Sequence, residues 1–235
     1  VEDLAALGHS KGALVFVDAA QAAPHFGLRL KERGVDAAAF SAHKMLGPTG
    51  LGVLWAREEL LEALPPWQTG GSMIERVTWE KVTWNRLPWK FEAGTPNIAG
   101  AVGFHAALRY LRDLGWQAIQ AHEAVLCERA LEQLAGVDGL KLYGPAASEG
   151  RVAVFSFSLA GIDPYDAGAL LDAQGIEVRV GHHCAQPLMD SLGAEGLIRA
   201  SFYLYNTPAE VDALATGLHK VVAKLRPASA TAAKA

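Results

Sequence analysis

Leu14-Val15-Phe16-Val17 is an unbroken apolar run that stops at Asp18. It lacks the alternation of a half-exposed strand and reads as a strand buried on both faces, as in a parallel sheet. Ala37 to Phe40 and Gly52 to Trp55 read as further short strands, and Glu58 to Leu64 as a short helix closed by Pro65-Pro66. Gly70 to Phe91, rich in Trp and Gly, reads as a long irregular surface segment with a task of its own. Asn97 to Leu114 has a helical pattern, with apolar Val102, Ala106, Leu108 and Leu111. Trp116 to Leu134 continues as helix after Gly115. A boundary there divides the chain into residues 1–114 and 115–226. The second part reads as strand (Val152 to Leu159), helix (Asp163-Pro164 to Gly175), strand (Ile176 to Val180), strand (Leu197 to Leu204) and a last helix towards Leu225. Asp163 suits the N-cap and Pro164 the first helical turn, and Thr207-Pro208-Ala209-Glu210 is a capping box. Pro227 to Ala235, rich in Ala, Ser and Thr, reads as a disordered tail. Strands alternating with helices indicate an α/β architecture.

At 235 residues, 51% of them hydrophobic, the chain can bury a sizeable core as one large domain or two smaller ones. A net charge of −4 gives no reason to expect nucleic-acid or anionic-membrane binding. No apolar run is long enough to span a bilayer, and the N-terminus is not a signal peptide. Two cysteines imply no disulfide framework, so a cytoplasmic setting is the default. The chain starts at Val1 with little ahead of its first strand, which suggests that it begins in mid-fold.

Asp18, with Gln21 three residues on, places an acid and an amide at the carboxyl end of a strand, where open α/β sheets bind ligands. Taken alone, a helix N-cap is the better reading of Asp18. Ser41-Ala42-His43-Lys44 ends the next strand, and Gly47-Pro48-Thr49-Gly50 lets the backbone turn at once. A lone lysine is normally a solvated charge. An amine among apolar neighbours is disfavoured in its charged form, and a neutral amine is what imine formation needs. Pyridoxal phosphate (PLP) needs such a lysine, an acid against its pyridine nitrogen and donors for its phosphate. Asp18 suits the nitrogen; Ser41, His43 and Gly94-Thr95-Pro96 are candidates for the phosphate.

A second cluster is Arg179-Val180-Gly181-His182-His183-Cys184-Ala185. Cationic neighbours stabilise a thiolate, the reactive form of cysteine. The run also evokes zinc, but adjacent residues rarely face one metal and no second ligand pair is visible, so no metal is assigned. A buried inert cysteine fits this polar, Gly-containing loop poorly. Cys127, inside an apolar helix, reads as core. Arg199, within Leu197-Ile198-Arg199-Ala200-Ser201, is either a structural salt bridge or a carboxylate clamp.

Taken together, Val17-Asp18-Ala19-Ala20-Gln21, Ser41 to Gly50, Gly70-Gly71-Ser72-Met73-Ile74, Phe91 to Asn97, Arg179 to Ala185, and Arg199-Ala200-Ser201 with Tyr205-Asn206-Thr207 resemble the SufS/CsdA-type (group II) cysteine desulfurases. These are fold-type I PLP enzymes of the class V aminotransferase family. The Arg-x-Gly-His-His-Cys-Ala form is that of the Suf-like group. The resemblance runs from about Val15 to about Leu225. It implies a PLP-dependent transferase-like α/β fold, with an incomplete large domain of mostly parallel sheet and a C-terminal α+β small domain. Lys44 resembles the Schiff-base lysine. Asp18 resembles the partner of the pyridinium nitrogen, Gln21 that of the ring hydroxyl, and Ser41 and His43 the phosphate ligands. Thr95 matches a residue that reaches the neighbouring subunit's cofactor. Arg199 resembles the substrate carboxylate clamp, with Arg179 nearby, and Cys184 the nucleophile that takes the substrate sulfur as a persulfide. The activity implied is L-cysteine to L-alanine, in a homodimer that hands sulfur to a SufE- or SufU-like acceptor for iron–sulfur cluster assembly. Selenocysteine lyase chemistry on the same scaffold is the close alternative, and a catalytically silent C-terminal fragment the distant one. The family's N-terminal portion, which supplies a Gly-Thr phosphate turn, a histidine stacked on the ring and an asparagine near the ring oxygen, has no match here. The chain therefore resembles the C-terminal part of such an enzyme.

Overall fold

A computed structural model describes residues 1–226; the tail expected at 227–235 lies outside the described residues. The chain divides into two compact units, Val1–Trp116 and the residues from Gln117 onward.

The first unit opens with helix α1 (Glu2–Ser10), which the sequence pattern did not announce, followed by β1 (Phe16–Asp18), a single helical turn α2 (Ala22–His25) and β2 (Ala37–Ser41). A 3-10 turn (Ala42–Met45) leads to β3 (Gly52–Ala56) and α3 (Glu58–Ala63). β1 and β2 pair in parallel, with Asp18 beside Ala39, and β2 and β3 pair antiparallel. The sheet is thus mixed over this stretch, not mostly parallel. The link from Ser41 to Gly52 is a 3-10 turn and a short loop with no crossover helix, whereas a parallel return needs a crossover of about a dozen residues or more. β1 is also not buried on both faces: Phe16 is 60% exposed. It lies at the edge of the order β1-β2-β3, and its inward residue Val17 joins a small core of Ala19, Val35 and Ala38.

Asp36 ties this unit together. It is 1% exposed, accepts the Val15 backbone N–H at 2.6 Å, and contacts His9 of α1 at 2.8 Å and the Arg57 guanidinium at 2.6 Å. Burial alone would raise its pKa; the Val15 N–H, His9 and Arg57 outweigh that and hold the carboxyl below its ordinary range. A depressed carboxylate contributes stability that is present above its unfolded pKa of about 3.9 and is lost as pH falls through the folded value. Asp36→Asn is expected to destabilise the unit by about 1–3 kcal/mol at pH 7, because it removes a buried carboxylate from its charged partners while half-exposed Arg57 stays in contact with water. Thermal unfolding should show this gap narrowing below about pH 4.

The segment expected to be irregular contains a hairpin, β4 (Ile74–Val77) and β5 (Val82–Trp84), closed where Thr78 Oγ1 accepts the Lys81 N–H at 3.0 Å. A bulge between Ile74 and Arg76 breaks the alternation, which hides the strands from pattern reading. Helix α4 (Ile98–Leu114) starts where Asn97 Oδ1 accepts the Gly100 N–H at 2.9 Å. Its packed face is Gly100, Phe104 and Leu111; of the apolar positions read from the sequence, Val102, Ala106 and Leu108 are exposed and Leu111 is buried. Phe104 decides the face by packing on the turn after Lys44: a Cβ on Gly47 would stand 2.7 Å from its ring.

The second unit holds α5 (Trp116–Ala135), β6 (Leu140–Tyr143), β7 (Val154–Leu159), α6 (Pro164–Asp172), β8 (Arg179–Gly181), α7 (Gln186–Leu192), β9 (Leu197–Ser201) and α8 (Pro208–Leu225). β6 and α7 were not anticipated, and β8 and β9 are shorter than expected. The four strands form an antiparallel sheet of order β6-β7-β9-β8. Phe155 and Phe157 of β7 lie opposite Ala200 and Ile198 of β9, and this face packs on α5, α6 and α8. Cys127 lies in that core, where burial pushes its thiol up to about 11. Asp163 caps α6 through the Tyr165 and Asp166 N–H groups, and the Thr207–Glu210 capping box opens α8. Among the described residues no helix is long and apolar enough to cross a membrane.

Candidate active site

Parallel pairing brings the carboxyl ends of β1 and β2 to one side of the sheet. Asp18 ends β1, exposed, with Oδ1 accepting the Ala20 N–H at 2.9 Å. Gln21 is the N-cap residue of α2 and makes no capping bond with its side chain. Ser41 ends β2 and begins the 3-10 turn, in which Ala42 and Met45 are buried, His43 is exposed and Lys44 is half-buried. The two buried residues anchor the turn while its polar residues face outward. α2 packs against this turn, so Asp18, Gln21, Ser41, His43 and Lys44 all rise from one end of one strand pair. Thr95 stands apart on the exposed loop that leads into α4, where the Gly94 N–H donates to Gly71 O at 2.9 Å.

In the second unit Cys184 is exposed, and the Arg179 guanidinium reaches its sulfur (Nη2 to Sγ, 3.2 Å). His183 and Cys184 both have left-handed backbones, at φ 55° and 61°. Arg199 lies directly opposite Arg179 across β8 and β9, and opposite Ser156 on β7. Strand alternation explains the charge in the apolar run: Ile198 and Ala200 face the core, and Arg199 the other way. Like charges directly opposite each other are unfavourable. Burial, then Arg179, lower the Arg199 pKa, and its Nε is buried without a partner. The charged groups that act on Arg199 are Arg179 and Cys184, and neither is a carboxylate. Among the described residues no carboxylate pairs with Arg199, as a structural salt bridge requires.

Sequence reading singled out Cys184 and left His183 without a task. His183 is half-buried, and its Nε2 lies 3.0 Å from Leu197 O. Burial, then Arg199, lower its pKa and favour the neutral ring. Gly181 begins the loop at φ 106°, and a Cβ there would meet the Tyr165 hydroxyl at 2.8 Å. Gly181→Ala is therefore expected to cost about 1–3 kcal/mol, read as a lowered Tm. Gly175→Ala, at φ 75° with open space around it, should cost less.

The family model for aminotransferase class-V matches residues 1–214. The chain belongs to this family. It is 52% identical over 221 residues to a probable cysteine desulfurase of Streptomyces coelicolor and 48% identical over 220 residues to one of Halalkalibacterium halodurans. Each match covers 94% of this chain and 53% of the relative. Among solved structures, the Escherichia coli cysteine desulfurase CsdA (S-sulfonic acid) superimposes with a TM-score of 0.88 at 40% identity, covering 94% of this chain and 54% of that one. The apo cysteine desulfurase of Thermococcus onnurineus gives 0.90 at 40% identity, covering 94% and 56%. The fold is that of the fold-type I PLP enzymes. The chain spans about half the length of the curated relatives it matches.

Proposed function

We propose that this class-V chain serves a PLP-dependent cysteine desulfurase reaction: L-cysteine and the Cys184 thiol give L-alanine and a Cys184 persulfide. The observation that carries this reading is the exposed Cys184 sulfur 3.2 Å from the Arg179 guanidinium. A cysteine so placed distinguishes sulfur transfer from plain amino-group transfer.

The residues of the first unit fit the cofactor group by group. An amine (Lys44), a carboxylate (Asp18), an amide (Gln21), a hydroxyl (Ser41) and an imidazole (His43) leave the same end of β1 and β2. When bound, PLP supplies an electron sink for the substrate's α-carbon. Asp18 would keep the pyridine nitrogen protonated, Gln21 would donate to the ring oxygen, and Ser41 and His43 would donate to the phosphate. Lys44 would hold the aldehyde carbon and then carry protons at the substrate's α-carbon. Arg199 would take the substrate carboxylate, with Arg179 between that charge and the sulfur. Cys184 Sγ would attack the substrate sulfur; the carbon–sulfur bond breaks and the carbon fragment, once protonated, leaves as alanine. In this reading Thr95 reaches the phosphate site of a second copy, so the working form is a homodimer in the cytoplasm. The persulfide then passes to an acceptor protein of the SufE or SufU kind for iron–sulfur cluster assembly.

The test incubates the 235-residue chain with PLP and L-cysteine and measures sulfide, after a reductant, together with alanine. Equal yields of the two, with borohydride fixing a pyridoxyl group on Lys44, are expected. Fixation without sulfide overturns the desulfurase reading, and no fixation under any condition overturns the cofactor reading for this chain.

A further inference from the structure

We infer that His183 is the positioning residue of the Cys184 loop: its Nε2–H bond to the Leu197 carbonyl holds residues 183 and 184 in left-handed backbone and so keeps the thiol beside Arg179. The inference rests on the reading of Cys184 as the reactive thiol. It starts from a conformational problem. A left-handed backbone costs a side-chain-bearing residue about 1–2 kcal/mol, and here two such residues follow one another with no glycine or asparagine between them. Something local must hold them.

Two bonds do so. The Ala185 N–H donates to His182 O at 2.9 Å and closes the turn upon itself. The His183 ring ties the turn to β9, reaching Leu197 O at 3.0 Å, while the contact of Cys184 with Arg179 of β8 is the one the turn presents. Leu197 is a fixed point: it is buried, it opens β9, and it pairs with Gly181 at the end of β8. The ring thus spans from the loop back to the strand beside the one that feeds it. The carbonyl can only accept, so Nε2 carries the proton, and Nδ1 is then a bare acceptor, buried without a partner. A charged ring would place a second N–H there with nothing to receive it, next to Arg199 and Arg179. The site therefore keeps His183 neutral and uses it as a strut rather than as an acid. With the strut gone, residues 183 and 184 relax towards ordinary backbone, and the 3.2 Å contact between Sγ and Arg179 opens.

The decisive comparison uses two side chains of similar length, of which one carries an N–H. The side-chain nitrogen of glutamine stands where the ring's Nε2 does; methionine fills similar space without a donor. His183→Gln should keep the bond, and His183→Met and His183→Ala should lose it. The first readout is hydrogen exchange of the backbone amides of residues 182–185. The second is the rate of iodoacetamide alkylation of Cys184 at fixed pH, followed by mass spectrometry with buried Cys127 as internal reference. Exchange about five- to tenfold faster and alkylation several-fold slower are expected in the Met and Ala variants, with the Gln variant within about twofold of the parent. Arg179→Ala should slow alkylation while leaving the loop's exchange unchanged, which separates the strut from the charge it serves. Equal behaviour of the Gln and Met variants, or an Ala variant indistinguishable from the parent, overturns the inference. If the Ala variant fails to fold, the Gln–Met pair still decides. Neither readout needs PLP or turnover, so the inference can fail while the desulfurase reading stands, and the reverse.

Discussion

A Cys184→Ala chain is expected to take PLP onto Lys44 as the parent does and to lose sulfide release by at least about a thousandfold. The division follows from the two units. In the proposed reaction, cofactor attachment would depend on groups at the carboxyl ends of β1 and β2, and sulfur acceptance on one atom in the loop between β8 and α7. The substitution removes an exposed sulfur whose partner is Arg179, so the fold should not suffer: surface changes of this kind usually stay within about 0.5 kcal/mol. Borohydride fixation and a sulfide assay on the same preparation measure both halves. Turnover that survives the substitution would remove Cys184 from the reaction and leave the facing guanidiniums of Arg179 and Arg199 to be explained otherwise.

Lys44→Ala is expected to do the opposite. Borohydride should fix no pyridoxyl group at this position, and sulfide release should fall to background, because in the proposed reaction the amine would both attach the cofactor and move protons. Lys44→Arg sharpens the test: it keeps a positive charge on a long stem but cannot form the imine. If charge alone held the cofactor, the Arg variant would retain binding; if the bond matters, both variants fail alike. Stability should change little in either, since Ala42 and Met45 carry the burial that anchors the turn. Iodoacetamide should still label Cys184 at the parent's rate, which checks that the second unit is undisturbed.

Much of the candidate chemistry was legible because it is local. Strand, turn and lysine occupy consecutive positions, and Asp163 and the Thr207–Glu210 pair act within one helical turn. What escaped depends on distant partners. The pairing of Arg179 with Arg199 is a matter of register between strands whose connection contains α7. Apolar continuity showed that Leu14 to Val17 is a strand but not how many strands flank it, so Phe16 was expected inside. Helix α1 is short and carries no side-chain cap; His9 at its end is held by Asp36, far along the chain, and no window of sequence contains that bond. His183 escaped for a related reason. Two adjacent histidines look equivalent in sequence, and only the reversal of the backbone at positive φ turns one of them back to the sheet.

The position of β1 at the end of the β1-β2-β3 order has a practical consequence. Its outer backbone groups, with the exposed side chains of Phe16 and of Leu14 two residues before it, form an apolar seam on which a second copy can pair. Handled at high concentration, the chain offers a template for stacking edge to edge, so an apparent loss of active material over time would measure colloidal behaviour and not chemistry. A lysine in place of Phe16 would blunt that seam without touching the side chains at the carboxyl end of the strand.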